Sequence, residues 1–250
     1  MNLTIDIGNT RTKIVAFEGG EPIAAVALSH PDKDGAQQAD CLEDAIAALA
    51  QRIGTTWNGL AWCSTGKTAD GLAERLQRHA PHVLRLTGLT PPPLRVDYAT
   101  PHTLGADRLA AALGAVALQP GSNLLVVDVG TCVTCDFIEG GQRFAGGNIS
   151  PGIQMRLRAL HDYTEALPLI EADGRWPLLG SDTETAIRAG VLLGLQAEIA
   201  TLAQRLTKTH PNLQVWLAGG ESLRLHEALP CPLHTDPHLV ARGLNSLLAI

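Results

Sequence analysis

Lysine is scarce in this chain. Lys13, Lys33, Lys67 and Lys208 are the only four among 250 residues. Arginine brings the basic total to 19 against 25 acidic groups, a net charge of −6, and no basic block stands out. That balance argues against a nucleic-acid partner, whose phosphates need clustered positive charge. An N-terminal basic region with an apolar stretch and a small-residue cleavage site is also missing. The apolar runs fall short of the roughly 18 residues a membrane span needs. A cytoplasmic location and no membrane partner are the expectations. Cysteine is sparse too: Cys41, Cys63, Cys132, Cys135 and Cys231 show no disulfide or zinc spacing. Cys132 and Cys135 form a C-x-x-C in name, but in a strand run positions three apart face opposite ways. Buried free thiols are expected there. The nine histidines are scattered, with none paired at metal spacing.

What is present suits a globular protein. The chain is 45% hydrophobic and 18% charged, enough to bury a core in one large or two smaller domains without disulfides. One pattern occurs twice. Leu3-Thr4-Ile5-Asp6-Ile7-Gly8-Asn9-Thr10 runs on to Glu18-Gly19-Gly20, and Leu125-Val126-Val127-Asp128-Val129-Gly130-Thr131-Cys132 runs on to Glu139-Gly140-Gly141. The copies lie about half of the 250 residues apart. A repeat at that interval implies a duplicated domain and a cleft between the copies.

Alternation predicts strands over 2–7, 11–18 and 23–28, then a helix over 41–53 with Asp40 as N-cap. A strand over 60–64, a helix over 69–79 and a strand over 82–86 follow. Pro91-Pro92-Pro93 introduces an extended stretch to Tyr98, and a helix runs from Thr103 to about Leu118. Pro120-Gly121 separates the halves, giving domains 1–118 and 119–250. The second hairpin spans 123–138. Gly146 to Gly152 reads as a tight turn before a helix over 153–163, and a long helix reaches from Thr183 to Lys208. A strand over 215–218, a turn at Gly219-Gly220 and two helices close the chain. The class is α/β, with a mixed five-stranded sheet in each half.

The chemistry follows from the turns. Gly8 lets backbone amides approach an anion, Asn9 and Thr10 add polar groups, and Lys13 can reach a phosphate. Asp6 can hold magnesium, which favours a few carboxylates plus phosphate oxygens. A plain hairpin with an Asp cap reads the same way in one copy. Two copies mark the duplicated actin-like, ribonuclease H-like ATPase architecture, in which paired hairpins grip phosphates. Asp107 falls in the first turn of a helix, where the dipole favours its ionised form as a base for phosphoryl transfer. Arg108, about 100° around that helix, can bind a carboxylate. A dipole-matched Asp and a surface Arg are the plainer alternative. Tyr98 can line the same pocket. Gly152 opens another helix, Thr183 is an N-cap candidate, and Gly219-Gly220-Glu221 could border an adenine.

Together these residues resemble the type III pantothenate kinases along essentially the whole chain. The match rests on five ordered motifs: Asp6-Ile7-Gly8-Asn9-Thr10, Leu104-Gly105-Ala106-Asp107-Arg108 after Thr100-Pro101, Asp128-Val129-Gly130-Thr131, Gly146 to Gly152, and Gly180-x-x-Thr183-x-x-Ala186-Ile187. The resemblance implies phosphorylation of pantothenate by ATP with Mg2+, the first committed step toward coenzyme A. It assigns Asp6, Ile7, Gly8, Asn9, Thr10, Arg11, Thr12, Lys13 and Thr131 to ATP, with Asp6 on magnesium. It gives pantothenate to Tyr98, Gly105, Ala106, Asp107, Arg108 and Thr183, the last from the partner of a homodimer. Asp107 becomes the proton acceptor, and Asp128 binds a monovalent cation, K+ or NH4+. The chain departs from the family at Cys132 and Cys135. A regulatory accessory factor and a sugar kinase on the same fold are the rival readings. The catalytic positions argue against the first, and the lack of a cysteine cluster with a nearby histidine against the second's zinc-bearing subgroup.

Overall fold

The computed structural model describes residues 1–30, 35–66, 68–91, 93–220 and 231–249. These form two compact units, residues 1–120 with 238–250, and residues 121–237. The expected helix after Gly220 and the Glu221 position lie outside the described residues.

The first unit holds strands β1 (Asn2–Ile7), β2 (Arg11–Glu18), β3 (Glu21–Ser29), β4 (Gly59–Ser64) and β5 (His82–Arg85). They pair in the order β3-β2-β1-β4-β5. β1 is antiparallel to β2 and parallel to β4, so the sheet is mixed. Alternation decides its faces. Leu3, Ile5, Ile7, Ile14 and Trp62 bury one face against Leu42, Ile46 and Leu49 of α1 (Gly35–Ile53) and Leu72 and Leu76 of α2 (Leu72–Leu76). The other face carries Thr4 and Asp6 on β1, and there Val15 and Phe17 pack with Ala241. A short strand β6 (Arg95–Val96) and a 3-10 turn (Pro101–Thr103) lead into α3 (Ala106–Leu118).

The second unit repeats the plan. Strands β7 (Leu124–Val129), β8 (Cys132–Glu139), β9 (Arg143–Pro151), β10 (Gln214–Ala218) and β11 (Leu233–Thr235) run in the order β11-β10-β7-β8-β9. Read backwards, that is the order of the first sheet. Helices α4 (Ile153–Asp162) and α5 (Thr183–Thr209) cover it. α5 is long and apolar enough to cross a membrane by length and composition, unlike the runs read from the sequence, yet half of that window is buried in the protein. Ile187, Val191, Leu195 and Ile199 join Val127, Val215 and Leu217 in the unit's core, so this stripe serves the core. Finally α6 (Leu239–Ser246) packs with the first unit, against α3. A Cβ on Gly243 would stand 1.8 Å from the Ala110 carbonyl oxygen, and one on Gly114 would stand 2.0 Å from that of Leu239. Two glycines let these backbones meet.

Several local expectations need correction. Asp40 lies inside α1, not at its start, and pairs with Arg75 at 2.6 Å. Gly146 to Pro151 is strand, not a turn, because pairing with β8 satisfies its backbone. α2 and α3 begin later than their apolar spacing suggests, and a three-residue strand, β11, precedes the last helix. All five cysteines are free, but Cys41 is exposed and Cys132 and Cys135 only half-buried.

Candidate active site

Asp6 sits near the end of β1, half-buried. Its register partners are Lys13 on β2 and Cys63 on β4, so all three share one face of the sheet. The Cys63 thiol donates to Asp6 Oδ1 at 3.6 Å. The turn that follows is tight. Gly8 N–H donates to the Arg11 carbonyl at 3.0 Å, and a Cβ on Gly8 would lie 3.1 Å from that oxygen. Asn9, Thr10 and Arg11 are exposed and Lys13 is half-buried. Ile7 and Thr12 are buried, and the Thr12 hydroxyl lies 2.8 Å from His30 Nε2. These two can offer a ligand only their backbone.

Asp107 stands in the first turn of α3, after Gly105 at the N-cap. The Arg108 amide donates to its Oδ1 at 2.9 Å. Burial pushes the Asp107 carboxyl above its ordinary pKa, opposed by the Arg108 and Asp107 amides and by the Arg108 charge. A Cβ on Gly105 would stand 2.5 Å from Asp107 Oδ1, so glycine leaves the carboxylate its place. Gly88 does similar work one step back: its Cβ would lie 2.1 Å from the Pro101 carbonyl oxygen. That seats the turn before α3, and no sequence motif marked it.

The two carboxylates act on one group. Burial first, then the charges of Asp6 and Asp107, raise the Cys63 thiol well above its usual pKa. Asp6, Lys13 and Cys63 thus share one face of the first unit's sheet, and the charge of Asp107 is felt at the same thiol. Arg108 is only 5% exposed, so the surface-arginine alternative fails. Its guanidinium lies 5.6 Å from the centre of the half-buried Tyr98 ring, a cation–π contact that ties two expected pantothenate residues together.

In the second unit Asp128 is half-buried, with Thr134 and Ala218 as register partners. Where Asp6 has a lysine and a thiol, Asp128 has a threonine and a methyl group. Gly130 N–H donates to the Cys132 carbonyl at 3.0 Å, leaving Thr131 exposed. Gly152 N–H donates to the Thr131 carbonyl at 3.0 Å, and a Cβ there would lie 2.1 Å from the Gly130 oxygen. The glycine motif at 146–152 thus backs onto the second Asp turn. Gly219, at φ +92°, closes in from β10: its Cβ would stand 2.6 Å from Asp128 Oδ1. Thr183 is exposed at the start of α5, but Asp182 is the N-cap, in a capping box with Thr185. Gly180 rests on this turn, its Cβ position 2.2 Å from Ala186 N.

Among the described residues no group of three or more His, Cys, Asp or Glu is gathered to cage a metal. Magnesium does not need one: it keeps waters and shares phosphate oxygens with one or two carboxylates. A half-buried Asp6 beside an exposed turn fits that donor set.

A family model described as type III pantothenate kinase matches residues 2–205. A type III pantothenate kinase of Phocaeicola vulgatus is 38% identical over 249 residues, covering 100% of this chain and 98% of that protein. A Campylobacter jejuni protein described as a Baf family transcriptional activator superposes with a TM-score of 0.60 at 19% identity, covering 99% of this chain and 97% of the other. A ROK hexokinase from Thermus thermophilus gives a TM-score of 0.54 at 14% identity, over 97% and 96%. At such identities these two structures speak for the shared fold alone.

Proposed function

The chain belongs to the type III pantothenate kinase family, and from that premise we propose how its own residues carry the reaction. The enzyme transfers a phosphoryl group from ATP to pantothenate, toward coenzyme A. Asp107 takes the proton from the primary hydroxyl of pantothenate as the oxygen attacks the γ-phosphorus in line, and the bond to the β–γ bridging oxygen breaks to release ADP. The observation that carries this is the position of Asp107: it stands in the first turn of α3, its Oδ1 accepting from the Arg108 amide at 2.9 Å in the place that Gly105 leaves clear. A base with a raised pKa also holds the proton better during transfer.

Residues 6–13 hold the ATP phosphates, through the turn amides, Asn9, Thr10, Arg11 and Lys13. Asp6 holds the magnesium, which when bound neutralises phosphate charge. Tyr98, Gly105, Ala106 and Arg108 hold pantothenate, with Arg108 on its carboxylate. Thr131 is assigned to ATP and Asp128 to a monovalent cation, K+ or NH4+. Gly219, whose Cβ would stand 2.6 Å from Asp128 Oδ1, keeps a side chain off that carboxylate, which supports an ion there. The enzyme works in the cytoplasm as a homodimer, the partner supplying Thr183. A groove of about 590 Å³, with Cys135, Asn148, Ala197, Thr201 and Leu202 along its open wall, supports an interface along β8 and α5.

The test is phosphorylation assayed with pantothenate and with a panel of hexoses, each with and without K+. Pantothenate alone should be turned over, and Asp128→Asn should lose the K+ response. Turnover of a hexose, or an unchanged K+ response in Asp128→Asn, would remove the corresponding assignment.

A further inference from the structure

We propose that Cys63 is a positioning residue, whose thiol hydrogen holds the Asp6 carboxylate in the orientation that receives magnesium and so sets the affinity for Mg·ATP. The proposal deepens the assignment of Asp6 to magnesium and rests on it. Cys63 is fully buried near the end of β4, in register with Asp6 on the parallel strand beside it. Its Sγ lies 3.6 Å from Asp6 Oδ1, within reach of a thiol donor. A carboxylate rotates broadly about its last torsion. A donor fixed on Oδ1 restricts that rotation.

A buried cysteine is commonly just a small apolar filler. The duplication separates the two roles. At the matching position the second unit has Ala218 in register with Asp128, a methyl group that fills space and donates nothing. The thiol appears in the copy assigned to magnesium and phosphate. Lys13, the other register partner of Asp6, is likewise replaced by Thr134 in the second copy. Both neighbours of Asp6 on its face thus differ from those of Asp128 by gaining a donor or a charge.

The experiment compares Cys63→Ser, which keeps a donor, with Cys63→Ala and Cys63→Val, which do not. Binding of Mg·ATP without pantothenate is measured by calorimetry, beside the Mg2+ requirement of turnover and the KM for pantothenate. Loss of the donor should weaken Mg·ATP binding by about three- to tenfold, the scale of one ordinary hydrogen bond, since a thiol is a weak donor. The pantothenate KM should not move, and Ser should bind like the wild type. Val keeps the volume if Ala destabilises the fold. Wild-type Mg·ATP binding in Val or Ala overturns the proposal, as does equal weakening in Ser and Val. Asp6→Asn separates the two layers. If it weakens Mg·ATP binding and the Cys63 variants do not, only the role of Cys63 fails. If it leaves binding and the Mg2+ requirement unchanged, the magnesium assignment fails and takes the proposal with it.

Discussion

At the residue scale, Asp107 carries the account. Its folded-state pKa is raised because burial penalises the charged form more than the amides and Arg108 favour it. A base works only when ionised, so activity must fall as pH drops through that raised pKa. The acid limb of kcat/KM should therefore lie above the ordinary Asp value of about 3.9. A limb at or below that value would deny Asp107 the role of base. Gly105 gives a second prediction. A methyl group there would stand 2.5 Å from Asp107 Oδ1, so Gly105→Ala must push the carboxylate aside. Turnover should fall by about a hundredfold, the usual cost of displacing a catalytic group by an ångström, with ATP binding retained. The carboxylates themselves were legible because Asp-x-Gly turns and a helix-opening Asp are local patterns. Cys63 was not. Its meaning depends on the pairing of β1 with β4, separated by β2, β3 and α1, and no local pattern encodes that partner.

At the element scale, close backbone approaches hold the turns in place. Gly152 lies against Gly130 and Thr131, and Gly243 against Ala110. In each case the obstacle to a Cβ is backbone, which cannot swing away as a flexible side chain can. Gly152→Ala and Gly243→Ala should each cost about 1–3 kcal/mol, read as a lower denaturant midpoint at unchanged slope. Gly152→Ala should also impair activity, because it disturbs the second Asp turn. A neutral midpoint in either variant would show that the packing yields. The hairpins of both halves could be read from alternation and from their Gly-Gly turns. Residues 146–151 could not, since glycines read as a turn until pairing with β8 makes them a strand. Asp40 misled for a related reason: it has the chemistry of a cap, but the helix begins earlier and the side chain turns to Arg75.

At the scale of the whole molecule, the duplication fixes the strand order of both sheets and leaves the chemistry unequal. Stability should follow its paired carboxylates. Arg75 holds Glu43, and Arg156 holds Glu198, below the usual range, each chiefly through a side-chain hydrogen bond. A depressed folded pKa gives stability that is present above the unfolded value and lost as pH falls through the folded one. Asp107 has the opposite sign, since protonation relieves its burial, but it is one group against several. Melting temperature should therefore decline below about pH 4.5. A flat profile to pH 3 would deny those pairs a role. Sedimentation should give about twice the 26.4 kDa chain mass if the homodimer forms. A charged residue at Leu202, in the groove beside α5, should shift that balance toward monomer. The most direct test of the account joins activity to binding in one variant: turnover of pantothenate by Asp107→Asn, with its ATP affinity measured on the same preparation. The account predicts that most turnover is lost, about 100-fold or more, while ATP binds nearly as in the wild type. Near-normal turnover in that variant would contradict it.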